Sequence, residues 1–329
     1  MSDGGAMRNT MSTFVSVILA LVFIHFPMFA AESQLIKVRA VYPSPNVQYL
    51  PAYLARANGI YRDEGLEVEL IAVRGAKEGV QALLGGDVQF AMMIGPVLPA
   101  IWQGADLKLL AQMVGMPTFS LIVRPEIGKI ADLRGKKIGV SFGGMTSVLV
   151  HDLVRLHGLD PDKDIENINI PGSGPKVAAL DKGMIAAALI APPSEFAAIK
   201  AGFKRLVFLG DVMPDLPLTG IIAASRYVKE NPRIVEKMVR ATVRAVYLTQ
   251  ENPEAALATM RVDLKMTPDE ARDTYSLVRK SFSPILTEVS VKKVADVVAR
   301  STGVKPTKAP GDYTDLSFLN KVLQERVKR

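Results

Sequence analysis

Cysteine is absent from all 329 residues, tryptophan occurs once and histidine three times. The first absence excludes disulfides, thiolate metal sites, thiol nucleophiles and a lipid-modified cysteine, although it does not fix the compartment. The scarcity of histidine weakens catalytic readings. His25 lies in an apolar N-terminal segment, and His151 and His157 fall on one predicted helix. At ~100° per residue those two point about 240° apart, so they cannot share a ligand. H-E-x-x-H, G-x-S-x-G and clustered Asp and Glu are also missing, so neither a metal site, a cofactor nor an enzyme constellation is expected. Basic runs are missing too. The chain carries 40 Lys and Arg against 33 Asp and Glu, a net charge of +7, with a pI near 9.4. These residues occur singly or in pairs such as Lys136-Lys137, Lys204-Arg205 and Lys292-Lys293, with few aromatics between them. That pattern describes a generally basic surface, not a nucleic-acid face.

What is present describes a globular chain. Apolar residues make up 49% and charged ones 22%, a balance outside the disordered range. The length fits one large or two ordinary α/β domains. At the N-terminus Arg8 precedes the apolar run Phe14–Phe26, followed by Pro27 and the small residues Ala30-Ala31. Residues 1–31 therefore read as a secretory signal, whose apolar stretch is shorter than the ~20 residues of a membrane span. Cleavage after Ala30 or Ala31 would place Met28 or Phe29 at the third position back, a poor fit, so an uncleaved anchor is the alternative. Either reading places the rest of the chain outside the cytoplasm, in the periplasm.

From Ile36 onward strand and helix patterns alternate. Strands are predicted at Ile36–Val41, Leu66–Val73, Val88–Ile94 and Leu107–Val114, with helices at Gln48–Asn58, Ala76–Leu84 and Pro96–Gln103 between them. After Phe119–Arg124 the pattern restarts: strands at Lys137–Ser141, Asn167–Ile170, Ile185–Ile190 and Arg205–Leu209 enclose helices at Thr146–His157, Pro175–Lys182 and Pro193–Ala201. Such alternation means largely parallel sheets covered on both faces. Gly59 and Gly158 lie 99 positions apart, Gly86 and Gly183 lie 97, and Gly104 and Gly202 lie 98. These near-equal offsets suggest one topology used twice, though any two parallel units align roughly so. Leu218–Ala224 adds a strand, and the remainder reads as helices. The expected architecture is α/β, two lobes with two hinge crossovers and a C-terminal helical tail. Lobe one takes 36–122 plus 220–329 and lobe two takes 123–219, with the crossovers at Leu121–Pro125 and about Pro217–Ala223. A double crossover is what a hinge needs.

Ligands of open parallel sheets bind beyond the strand carboxyl ends, where helix N-termini converge. Four loops there are candidates: "PSPN" with Ser44 and Asn46, "IGP" with Gly95 and Pro96, "SFGGMT" with Ser141, Phe142, Gly143, Gly144, Met145 and Thr146, and "APPSE" with Pro192 and Pro193. Each uses residues that free or cap backbone N–H groups. Together they would hold an anion on helix dipoles without any lysine, or each is simply a good turn. The stretch "GVSFGGMT" matches a phosphate loop except that Met145 replaces the lysine. "GSGPKV", Gly172–Val177, opens like a dinucleotide loop but has Val177 where a third small residue belongs.

The segments "YLPAYLARANGIYRDEGLEVEL", "GGDVQFAMMIGPVLPAIWQG", "IADLRGKKIGVSFGGMTS" and "KGMIAAALIAPPSEFAAIKAGFK" resemble the periplasmic substrate-binding proteins of nitrate/sulfonate/taurine-type ABC importers. That group is related to the thiamine-pyrimidine synthesis proteins. The resemblance runs from about Ile36 to Gln250. It implies an α/β, two-lobed periplasmic-binding-protein type II fold with two hinge crossovers and a C-terminal helical tail, closing on a ligand, with a membrane permease and an ATPase as partners and the chain itself a monomer. The ligand loops carry over to Ser44 and Asn46, Gly95-Pro96, Phe142–Thr146 and Pro192-Pro193. Gly143-Gly144-Met145-Thr146 departs from the Gly-Ser/Thr start of many relatives, which argues against a small oxyanion such as nitrate or sulfate. Met92, Met93, Phe142 and Met145 suit a partly apolar organic anion, a sulfonate or carboxylate. The expected function is capture of that anion for import, without catalysis. An enzyme of the same fold in pyrimidine metabolism and a ligand-sensing accessory protein are the alternatives.

Overall fold

A computed structural model describes residues 34–327. The signal or anchor expected over residues 1–31 lies outside them. Among the described residues ten strands form two five-stranded sheets. The first comprises β1 (Ile36–Tyr42), β2 (Leu66–Ala72), β3 (Phe90–Ala91), β4 (Leu107–Val114) and β10 (Thr219–Ala224), in the order β2-β1-β3-β10-β4. The second comprises β5 (Ser120–Val123), β6 (Lys136–Val140), β7 (Ile165–Asn169), β8 (Ala187–Ile190) and β9 (Lys204–Phe208), in the order β7-β6-β8-β5-β9. The two orders are the same pattern written twice. In each, a strand from the crossover sits between the third and fourth strands of its half. The glycine pairs agree: Gly59 and Gly158 have φ of 69° and 76°, and Gly86 and Gly183 have 81° and 70°. Both halves therefore end the equivalent helix with the same left-handed turn.

Each sheet is mixed, not largely parallel. β10 runs antiparallel to β3 and β4, and β5 runs antiparallel to β8 and β9. Parallel neighbours need a crossover helix that returns the chain to the same end. β5 and β10 arrive from the other sheet and take antiparallel slots. β3 is also shorter than its apolar run. Beyond Ala91 the chain leaves the ladder: Met92 N–H donates to Val41 O at 2.9 Å and Ile94 N–H to Leu218 O at 3.0 Å.

The sheets also move the crossovers. Leu121 and Ile122, expected on the first crossover and assigned to lobe one, pair with Leu189 and Ala188 inside the second sheet. The chain passes between the sheets over 115–119. The return falls between Phe208 and Thr219, so Thr219, expected at the end of lobe two, already pairs with Val114 in the first sheet. The helical tail braces the outgoing segment, since Gly115 N–H donates to Ser281 O at 2.8 Å and Gln112 Nε2 to Ser283 O at 3.0 Å.

Helices α1 (Leu50–Ala57), α2 (Ala76–Gly85) and α3 (Leu98–Trp102) accompany the first sheet; α4 (Met145–Leu156), α5 (Ser173–Asp181) and α6 (Ser194–Lys200) accompany the second. The tail is led by α7 (Pro232–Glu251), which packs its buried stripe of Val235, Met238, Val239, Val243 and Val246 against α1 and β4. Among the described residues no helix is long and apolar enough to cross a membrane.

Candidate functional site

Strand carboxyl ends of both sheets meet at a cavity of about 80 Å³. The first half contributes Ser44, Asn46, Gln48 and Tyr49 after β1, Gly75-Ala76 at the start of α2, Met93 and Pro96 after β3, and Leu218-Thr219 entering β10. The second half contributes Phe119, then Ser141 and Gly144–Thr146 after β6, and Gly172, Ser173 and Lys176 after β7. Helices α2, α4 and α5 are all capped by glycine, at Gly75, Gly144 and Gly172, and none has a side-chain cap. Their opening residues line the cavity, so three positive dipole ends gather there.

The polar side chains divide into those already engaged and those still open. Asn46 Oδ1 accepts from Gln48 N–H at 2.9 Å, and its Nδ2 donates to Ser44 O at 3.1 Å, so Asn46 holds its own turn. Thr146 Oγ1 accepts from Ser141 N–H at 2.8 Å and from Lys176 Nζ at 3.2 Å. A hydroxyl that accepts twice still has its proton to donate. Buried Gln48 Nε2 has no partner. Tyr49 packs on Tyr42 with ring centroids 4.8 Å apart, and burial raises the pKa of its phenol.

Lys176 is the residue that the expected lysine-free site did not contain. Its side chain is 1% exposed, and it is the only charged side chain lining the cavity. Its ammonium nitrogen reaches Thr146 Oγ1 and, at 3.4 Å, Leu189 O; no carboxylate is among these partners. Burial lowers its pKa from 10.5 to about 7, because the charged form loses its hydration without gaining a counter-ion.

Of the residues expected to gather, Ser44, Asn46, Pro96, Ser141, Gly144, Met145 and Thr146 line this cavity. Gly95, Phe142 and Gly143 instead line a neighbouring one of about 370 Å³, together with His151, Asn167 and Ser301. Phe142 is 55% exposed, with its N–H held by Asn169 Oδ1 at 3.0 Å. Met145 lines both cavities and divides them. It does so because Gly95 has no Cβ, which would collide with Met145 Sδ. Pro192 and Pro193 line neither cavity. Pro192 O accepts from Val47 N–H at 3.3 Å, tying the two halves together behind the site. Glu195 of the same loop is fully buried and bonded to Arg205, with its pKa raised by burial. The loops missed in its place follow β2 and β7, at Gly75 and Gly172. "GSGPKV" was the available signal: it sits at a strand carboxyl end and carries the lysine. Among the described residues no cluster of three or more His, Cys, Asp or Glu could hold a metal ion.

Residues 46–256 match the NMT1/THI5-like family, and the chain belongs to it. A Brucella abortus protein, whose name gives it only a provisional binding role, is 27% identical over 315 residues, covering 92% of this chain and 96% of that one. Among solved structures, the periplasmic nitrate-binding protein NrtA from Synechocystis PCC 6803 aligns with a TM-score of 0.75 at 14% identity, over 89% of each chain. The periplasmic aliphatic sulphonate binding protein SsuA from Escherichia coli aligns at 0.69 and 18% identity, over 84% of this chain and 91% of that one. The desulfurization enzyme DSZB has the same architecture, at 0.66 and 18% identity over 88% of this chain and 99% of that one. At these identities the likeness establishes the two-lobed fold of the periplasmic binding proteins, and the fold houses both binding proteins and an enzyme.

Proposed function

We propose that this chain is an exported solute-binding protein. It captures a small organic anion, a sulfonate or carboxylate, between its two halves and delivers it to an ABC permease and ATPase at the membrane. The observation that carries the reading is the composition of the cavity: one buried cation, Lys176, among three glycine-capped helix starts drawn from both sheets. An anion is the species that such a site stabilises. Met93, Met145, Phe119 and Leu218 form the apolar remainder and suit a short carbon chain better than a bare oxyanion. The cavity holds roughly six non-hydrogen atoms, taking ~10–15 Å³ for each water-sized site. The two segments joining the sheets act as the hinge. The DSZB likeness raises an enzymatic alternative; no carboxylate, imidazole or thiol lines this cavity, and the amine of Lys176, 3.2 Å from Thr146 Oγ1, is the base that such a reading would need.

Thermal shift against ethanesulfonate, propanesulfonate, propanoate and butanoate tests the proposal. An acid present at ~100 times its Kd adds about 2.7 kcal/mol of stability. A flat melting temperature across the panel, with turnover of one of these compounds instead, overturns it.

A further inference from the structure

Lys176 poses a problem that the solute-binding reading alone does not solve. A lysine buried to 1% exposure normally has an acid beside it. Here the surroundings can be followed element by element. Thr146 meets the ammonium from α4, and His151 of the same helix lies in the neighbouring cavity. β8, beneath α5, is Ala187–Ile190 and wholly apolar. α6 brings Glu195 and Lys200, but Glu195 is bonded to Arg205 and Lys200 to Glu270. β6 carries Lys136 and Lys137 at its exposed start, Lys137 facing Glu166 at 3.8 Å. On α5 itself Asp181 sits at the far end of the helix. Across the cavity Tyr49 is the one other titratable side chain, and its buried phenol stays protonated. No negative charge reaches Lys176 until a ligand supplies one.

Resting on the solute-binding reading, we propose that Lys176 is a proton-linked anchor. It is uncharged in the empty protein under mildly alkaline conditions, and it takes up one proton from solvent as an acid ligand enters. The captured species is then the anion plus a proton, held as an ammonium–acid pair with Thr146 Oγ1 as a further donor. Closing such a site brings no net charge into the buried cavity. Burial, which lowers the affinity of Lys176 for its proton to a midpoint of about 7, supports the same conclusion. Above that midpoint, ligand affinity falls about tenfold per pH unit, because each bound anion must also recruit a proton. The device favours acids in a mildly acidic exterior and loosens them as pH rises.

Two measurements on the full chain test this independently. The first is calorimetric titration at pH 8, in two buffers of different ionisation enthalpy, with whichever of the four acids raises the melting temperature. Uptake close to one proton per ligand is expected; zero uptake overturns the proposal. The second needs no ligand. Between pH 7 and pH 10.5 the unfolded chain holds a proton on Lys176 that the empty folded protein has released. Folding stability therefore rises with pH across that window, and the rise is missing from Lys176→Met. Parallel stability profiles for the two proteins overturn the proposal. If no acid in the panel binds and one of them is turned over instead, the solute-binding reading falls, and the second measurement still decides the state of Lys176.

Discussion

The two halves of the molecule repeat one topology but treat the same spot in opposite ways. α2 starts at Ala76 and α5 at Ser173, which makes Gly79 the counterpart of Lys176. Beneath them, Val41 pairs with Ala91 and Gly139 pairs with Ala188, so Val41 corresponds to Gly139. In the first half the strand carries the side chain and the helix has none; the space above Gly79 is taken by the thioether of Met93. In the second half the strand gives up its side chain, and the room is shared by Ile185 Cδ1, 2.7 Å from where a Gly139 Cβ would stand, by Ala188 Cβ at 3.4 Å and by the stem of Lys176, its Cγ at 3.5 Å. The exchange brings a cation to one side of the cavity and a thioether to the other. On the proposed reading, the acid group of the ligand faces Lys176 on the second sheet, and its carbon chain meets apolar side chains from both halves.

The sharpest way to break this comparison is to fill Gly139. In Gly139→Val the new Cβ would lie 2.7 Å from Ile185 Cδ1 and push on the Lys176 stem. Overpacking of this kind costs about 1–3 kcal/mol, and displacing the ammonium should weaken acid binding at least tenfold on the argument above. Gly79→Ala is the control in the other half. Its Cβ meets the flexible end of Met93 at 2.5 Å, with Val73 Cγ2 at an ordinary 3.5 Å, and replacing a mid-helix glycine regains up to ~1 kcal/mol. Urea unfolding should place it within about 1 kcal/mol of the parent, with binding unchanged. Equal losses in the two variants would remove the asymmetry between the halves.

That asymmetry was not legible in the sequence, although the duplication was. Long apolar runs such as Leu107–Val114 give their strands away because both faces of the sheet are covered. Glycines such as Gly59 and Gly158 mark helix ends because the turn requires a left-handed residue. Strand direction has no such signature, so the antiparallel insertion of β5 and β10 emerges only from the assembled sheets. Val88–Ile94 is apolar except at Gln89 whether it forms a ladder or a buried turn, and only Phe90–Ala91 form the ladder. The site was half legible. Gly144 and Thr146 follow from the strand–glycine–helix pattern. Lys176 does not, since a lysine in the first turns of a helix reads as a solvated charge. Only the missing side chain at Gly139, distant in sequence, reveals that it points inward.

A smaller effect separates the two polar walls. Thr146 is part of the scaffold, accepting from Ser141 N–H and Lys176 Nζ. Thr146→Val leaves both donors without that partner and should cost about 1–2 kcal/mol, with acid binding reduced in parallel. Gln48, on the opposite wall, has a buried Nε2 with no partner in the empty protein. Gln48→Leu removes that unmet donor, so stability should stay within about 1 kcal/mol of the parent or rise. Denaturant midpoints for the two variants check the contrast, and a larger loss from Gln48→Leu than from Thr146→Val would reverse the assignment of scaffold and open wall.

The smallest effect tests whether the halves are equivalent where they look equivalent. Gly59 and Gly158 have φ of 69° and 76°, and a Cβ built on either meets nothing within 4 Å. The penalty for Gly59→Ala and for Gly158→Ala is therefore backbone strain alone, about 1 kcal/mol in each case. Because neither residue touches the cavity, acid binding should not change. The sites lie in separate halves, so the double variant should lose the sum of the two to within ~0.5 kcal/mol. Unequal single losses would mean that one turn is supported by its surroundings and the other is not. A double variant that loses much more than the sum would mean that the two turns are energetically coupled across the fold, a coupling that the repeated topology by itself does not require.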